Sequence, residues 1–208
     1  MKLRRLLCYV KGTINETAFI GADNLHTMIT PVDNSYAPHD DFKSHTGGAS
    51  THVIGMTSSK SSKQKSNTTS STEAELVGVA DCSLKTLSRQ LLMKAQGCLL
   101  KHDATLQEDK SDVLMENNGK KSCAKRTRHL SILCFHVKHL IDRKEVEVDY
   151  FPTENMLAIF FSKPLQGNSL RRFRSIALGY QPLHVPCSHE PMCESKKRVE
   201  CHESAGNN

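Results

Sequence analysis

The stretch Ser70-Ser71-Thr72-Glu73-Ala74-Glu75-Leu76-Val77 constrains the fold more than any other part of the chain. It joins a helix start signal to a carboxylate placed one residue before an apolar stripe. Thr72 and Glu75 form the Thr-x-x-Glu pattern of a capping box, with Ser70 and Glu73 as an overlapping alternative. Apolar residues then recur at Leu76, Val79, Ala80, Leu84, Leu87, Leu91 and Ala95, the spacing of one helical face. The pattern predicts a long helix over 72–96, stopped by Gly97. A glutamate in the first turn ordinarily complements the helix dipole. Here it draws more interest, because other acidic positions along the chain suggest a metal site.

With 208 residues the chain can build one core, or one domain plus tails. Apolar content is 38%, aromatic content 5%, and there is no Trp, so the expected core is modest and the flexible share sizeable. A formal charge of +6 suits a nucleic-acid partner without requiring one. No apolar run approaches the roughly 20 residues of a membrane-spanning helix, so no membrane partner is expected. Lys11 and Gly12 interrupt Leu6-Leu7-Cys8-Tyr9-Val10, which argues against a secretory signal. The eight cysteines are scattered without the spacing of a disulfide framework, and an intracellular protein with reduced thiols is expected.

Leu3, Leu6, Leu7 and Val10 predict a short helix ending at Gly12. One or two strands are expected over 18–32, although Pro31 lacks the amide hydrogen that a central strand needs. The segment 38–48 reads as a polar loop and 51–56 as a strand broken by Gly55. The Ser, Thr and Lys of 57–71 read in isolation as a linker. The segment 102–122 is strongly polar, with doubtful strand content. A second helix is predicted over 128–143, with Leu130, Leu133, Cys134, Val137, Leu140 and Ile141 on one face. Val146, Val148 and Tyr150 alternate with Glu147 and Asp149 as in a strand. Pro152-Thr153-Glu154 opens a short helix. A basic amphipathic segment covers 169–178, and from 182 onward the polar composition predicts disorder.

Several short stretches then stand in a consistent order: Leu6-Leu7-Cys8-Tyr9-Val10-Lys11-Gly12-Thr13, Val32-Asp33-Asn34-Ser35-Tyr36-Ala37, Ser44-His45-Thr46-Gly47-Gly48 and Ser61-Ser62-Lys63-Gln64-Lys65. The series continues with Ser70-Ser71-Thr72-Glu73-Ala74-Glu75-Leu76, Thr127-Arg128-His129-Leu130, Pro152-Thr153-Glu154 and Ser162-Lys163-Pro164-Leu165. Taken together they resemble the C-terminal ribonuclease H region of a copia-type retrotransposon Pol polyprotein, in which it follows the reverse transcriptase. The resemblance implies a mixed α/β, ribonuclease H-like fold, with a sheet of about five strands flanked by helices. It divides the chain into 1–20, the end of the reverse transcriptase region; 21–180, the ribonuclease H-like domain; and 181–208, a polar tail. It also turns 57–71 from a linker into a strand end and loop within the domain.

The implied activity is hydrolysis of the RNA strand of an RNA–DNA hybrid, using two Mg²⁺ ions held by four carboxylates. Mg²⁺ takes hard oxygen ligands in near-octahedral geometry, which suits carboxylates. Carried over position by position, the resemblance makes Asp33 the first ligand and Glu75 the second, with Glu73 as a rival that fits a cap or surface role better. The third position falls on Glu108, where the family has Asp; Asp109 is an alternative if the register shifts. The fourth falls on Ile159, which offers no ligand. A longer side chain at one position and none at another predict an impaired or inactive centre. The alternative reading is a non-catalytic nucleic-acid-binding module of the same fold, with the hybrid and the remainder of the polyprotein as partners.

Other signals are weaker. His129, His136 and His139, with Cys134 nearby, fit packing or surface roles better than a metal site. Cys187, His189, Cys193, Cys201 and His202 lack a finger spacing. Arg171, Arg172 and Arg174 suit phosphate contacts and a solvated face equally well.

Overall fold

The computed structural model describes residues 2–22, 27–98, 102–107 and 128–183. Helix α1 (Lys2–Gly12) and the two-residue strand β1 (Gly21–Ala22) precede the central strand β2 (Thr27–Ser35). Strands β3 (His45–Ser50), β4 (Val53–Ile54) and β5 (Ser58–Lys63) follow, then the long helix α2 (Ser71–Ala95) and strand β6 (His102–Gln107). Helix α3 (Arg128–Asp142), strand β7 (Glu147–Tyr150), a 3₁₀ turn (Thr153–Asn155) and helices α4 (Ile159–Ser162) and α5 (Gly167–Ala177) complete the described chain.

Five strands form one mixed sheet in the order β5-β3-β2-β6-β7. β3 is antiparallel to β2 and β5, whereas β2, β6 and β7 run parallel. Parallel neighbours need long crossovers, and here α2 leads into β6 and α3 into β7. Successive side chains of β2 alternate between two cores. Val32 packs with Leu76, Val79 and Ala80 of α2 and Val137 of α3. Ile29 packs on the other face with Phe151, Met156, Ile159 and, from α5, Phe173 and Ile176. Burial on both faces explains why β2 is near-continuously buried rather than half-exposed. Each fully buried Val or Met in these clusters contributes about 1.5–3 kcal/mol of transfer free energy. The fold is thus the expected one: mixed α/β, ribonuclease H-like, a five-stranded sheet flanked by helices.

Pro31 does sit in the central strand, against the sequence expectation. The β2–β3 ladder explains how. Ile29 exchanges backbone hydrogen bonds with Thr51 at 2.9 and 3.0 Å, and the regular register resumes at Val32–Gly48. The rung lost between them is the one to which a residue at 31 would donate. Thr30 and Ser50 instead interact through their hydroxyls at 3.2 Å. Proline therefore costs one ladder bond while its other neighbour, β6, stays in register at Pro31–Leu106.

Four other expectations change. Residues 45–48, read as the end of a polar loop, belong to β3 (His45–Ser50); their glycines and small polar side chains permit the close packing described below. The strand placed at 51–56 shrinks to Val53 and Ile54, which pair with β1. Segment 102–107, read as doubtful, is a strand paired on both sides. The Ser/Lys stretch holds β5, an edge strand alternating half-buried and exposed residues, so the linker reading fails and the domain reading holds.

Helix α2 begins as the alternative cap rather than the first. Ser70 is the N-cap, accepting from the Glu73 amide at 3.2 Å, and Glu73 Oε2 accepts from the Thr69 amide and hydroxyl at 2.6 and 2.7 Å. Gly97 ends the helix at φ +83°, with Cys98 N–H donating to Met93 O and Gly97 N–H to Lys94 O, a Schellman closure. The apolar face is shorter than its periodicity suggested. Leu76, Val79 and Ala80 are buried, but Leu84 and Leu91 are exposed, and Ser83 and Thr86 are the residues buried further along the helix.

Candidate functional site

Asp33 lies in β2 opposite Gly47 and has no exposed surface. A Cβ at Gly47 would stand 2.6 Å from Ala158 O and 2.7 Å from Ser162 N. Glycine there lets α4 press onto the sheet, and three contacts fasten it. Ser35 Oγ donates to Ser162 O at 2.9 Å, and Ser61 Oγ donates to Phe161 O at 2.8 Å. Ser162 Oγ donates a short hydrogen bond to Asp33 Oδ2. Lys163, the next residue, places Nζ 3.1 Å from Asp33 Oδ1. Both carboxylate oxygens of Asp33 are thus engaged by consecutive residues, one hydroxyl and one ammonium.

Asn34 points to the opposite face. Its Nδ2 donates to Glu75 Oε2 at 2.7 Å, and its amide rests against Gly78, where any side chain would overlap it. Gln64, also buried, donates through Nε2 to Thr46 Oγ1 at 3.0 Å, Ala74 O at 2.9 Å and Asn34 Oδ1 at 3.3 Å. Gln64 Oε1 is a buried acceptor with no partner among the described residues. Glu75, itself buried, is thereby fixed by a chain of amides running from the loop after β5 to the first turn of α2. The two expected ligands are held on neighbouring residues of one strand: Asp33 directly, Glu75 through Asn34.

Ile159 opens α4 and is 6% exposed within the Phe151, Met156 and Phe173 cluster. Of this segment, Ser162 and Lys163 reach Asp33. Sequence reasoning missed both as functional residues, although Ser162-Lys163-Pro164-Leu165 had been singled out as a motif. Glu108 and Asp109 lie outside the described residues, as do Cys187, His189, Cys193, Cys201 and His202. Arg172 donates to Glu154 O at 2.8 Å and Asn155 Oδ1 at 2.6 Å, and Arg174 pairs with Glu16 at 3.1 Å. Of the three arginines on α5, Arg172 and Arg174 are thus engaged within the chain.

Among the described residues the donor set is a poor match to a pair of Mg²⁺ ions. Such a pair needs several hard oxygen ligands converging on a shared space. Asp33 is instead neutralised by Lys163 and hydrogen-bonded to Ser162, and Ile159 turns an apolar side chain into the core. Among the described residues no group of three His, Cys, Asp or Glu side chains is placed to hold a metal.

No protein-family model matches the chain. Among solved structures, LC11-RNase H1 isolated from compost is 12% identical and superposes with a TM-score of 0.45, covering 62% of this chain and 86% of its own. The N-terminal RNase H domain of rv2228c from Mycobacterium tuberculosis gives 11% identity and 0.44, covering 72% and 96%. LC11-RNase H1 has also been solved in complex with an RNA/DNA hybrid, with 14% identity, 0.45, and coverage of 62% and 88%. Strand order and connectivity, which are independent of these superpositions, define the fold of this chain.

Proposed function

We propose that this chain is a ribonuclease H-like domain of copia-type retrotransposon Pol origin that engages RNA–DNA hybrid through its basic surface while its hydrolytic centre is impaired. The observation that carries this reading is the Asp33 environment. The carboxylate expected to hold catalytic metal is buried against Lys163 and Ser162, and the position expected to supply a fourth carboxylate is the core residue Ile159. The eight ordered motifs and the mixed sheet support the family origin. On this reading 21–180 is the domain, 1–20 the end of a preceding reverse transcriptase region, and 181–208 a tail. Asp33, Glu75 and Glu108 are the remnants of the ligand set. The formal charge of +6 supports a polyanionic partner.

The test is direct. The purified chain is incubated with a labelled RNA–DNA hybrid and Mg²⁺, and binding and cleavage are followed across a salt series. Salt-sensitive binding with little or no cleavage is expected. Vigorous cleavage that disappears in Asp33→Asn would overturn the impairment, and binding indifferent to salt would overturn the polyanion partner.

A further inference from the structure

Beside the edge strand, and away from Asp33, α2 and β5 enclose a second polar site. Its floor is the outer end of the β3–β5 ladder, where Ser50 and Ser58 are register partners. Arg89 of α2 reaches over both. Nη1 donates to Ser50 Oγ at 2.7 Å and Nη2 makes a short hydrogen bond to Ser58 Oγ. Behind them Thr86 donates to Thr30 at 3.1 Å, and Thr30 contacts Ser50 at 3.2 Å, so the hydroxyls form one connected network. Lys60, Lys85 and Arg89 line a narrow cleft of about 10 Å³ that opens to solvent between the strand and the helix.

The charges in this cleft are unbalanced. Lys60 pairs with Asp81 at 2.6 Å on the rim. Arg89 has only neutral hydroxyl partners among the described residues, and burial pulls its guanidinium below the ordinary arginine value. The nearby Cys82 thiol does not compensate, because burial raises it to about 11 and keeps it neutral. Lys85 and Arg89 stand four residues apart on one helix, a spacing at which like charges repel. A half-buried cation beside a second cation, with only hydroxyls to solvate it, is costly unless an anion completes the site. Arginine carries five N–H donors in a fixed fork, and two are used, so three remain for a ligand. A fork, an ammonium and a serine hydroxyl together match the oxygens of a phosphoryl group.

We propose that the cleft between β5 and α2 is a phosphate-binding site, seating one phosphoryl group at its mouth against Arg89, Lys85 and the Ser58 hydroxyl. The phosphate belongs either to a nucleic-acid backbone or to a small phosphate ester. The site is independent of the hybrid reading above, since it uses none of the residues around Asp33.

The full chain is titrated with inorganic phosphate, read by ³¹P line broadening and by the thermal midpoint against chloride at equal ionic strength. A fluorescein-labelled single-stranded DNA is titrated in parallel by anisotropy. Phosphate is expected to bind and to raise the midpoint. Lys85→Gln should weaken binding about threefold or more and Arg89→Lys, which keeps charge but loses the fork, about tenfold. Lys94→Gln, on the same helix outside the cleft, should have no effect. If phosphate competes with the DNA and both variants weaken it, the ligand is a backbone phosphate. If the variants lose phosphate but leave DNA binding unchanged, the ligand is a small phosphate ester. Phosphate no better than chloride, or variants that bind as the parent does, would overturn the site. Should Arg89→Lys fail to fold, the exposed Lys85→Gln decides the matter alone.

Discussion

Lys163 Nζ stands 3.1 Å from Oδ1 of Asp33, a carboxylate that has no solvent exposure, at the junction of the central strand and α4. A buried carboxylate needs a cation or several donors to remain charged. Here residues 162 and 163 supply a hydroxyl donor and a cation. The same pair determines what a divalent ion would meet, because a metal approaching Asp33 must displace an ammonium. Lys163→Met should cost about 1–3 kcal/mol, moderated by the partial exposure of the lysine. Urea unfolding of the single and double variants with Asp33→Asn should show coupling: with the charge of Asp33 removed, losing Lys163 should matter little. Lys163→Met should also gain more stability from millimolar Mg²⁺ than the parent does. Additive single effects would show that the pair contributes nothing.

Ile159 leads to a second prediction, and it bears on any attempt to rebuild a metal centre. Its side chain packs among Phe151, Met156 and Phe173. Ile159→Asp places a carboxyl group in that cluster and removes apolar volume, at a cost of about 3–5 kcal/mol. The destabilisation should ease in acid, where the carboxyl group is neutral. Ile159→Val should cost only about 1 kcal/mol. Denaturation curves of the two variants at neutral and acidic pH make the comparison. An Asp variant as stable as the parent would mean that residue 159 can turn out of the core toward Asp33.

Gly78 lies in the first half of α2, where alanine would ordinarily stabilise the helix by about 1 kcal/mol. Any Cβ there overlaps the Asn34 amide that orients Glu75. Gly78→Ala should therefore destabilise by about 1–3 kcal/mol despite the better helix former. The loss should shrink when combined with Asn34→Ala, which vacates the space. Thermal unfolding of the two single variants and the double variant tests this, and a Gly78→Ala protein more stable than the parent would remove the steric account.

Much of this arrangement could be read from the chain, for reasons that differ by element. The long helix was legible because its cap, periodicity and terminal Gly97 all agree. The ligand candidates Asp33 and Glu75 emerged through their motifs. Their actual partners did not, because a serine and a lysine 129 and 130 positions from Asp33 give no local pattern. Pro31 misled because a strand rule treats every rung as needed, whereas the β2–β3 ladder gives up one. β3 and β5 were obscured by Gly, Ser and Lys, which have weak strand preferences and are held here by pairing and by contacts from distant elements. Gln64 and Asn34 gave no sequence signal of the amide chain that fixes Glu75.

His45, beside β5, gives a pH dependence with a definite sign. His39 Nε2 lies 3.1 Å from His45 Nδ1, and His45 Nε2 lies 2.9 Å from Ser61 Oγ. Burial lowers the His45 value below the ordinary 6.5, and the neighbouring His39 charge lowers it further. A group whose folded value is depressed takes up its proton less readily in the folded state than in the unfolded one. Stability is then fully present above about pH 6.5 and declines as pH falls through the folded value. Asp41, held below 3.8 chiefly by its hydrogen bond to Lys63, acts in a separate and more acidic window. The thermal midpoint should accordingly fall between neutral pH and about pH 5, and His45→Asn should flatten that part of the profile while leaving the more acidic decline in place. A parent midpoint that rises as pH drops below 6.5, or a His45→Asn profile parallel to the parent, would rule out His45 as its source.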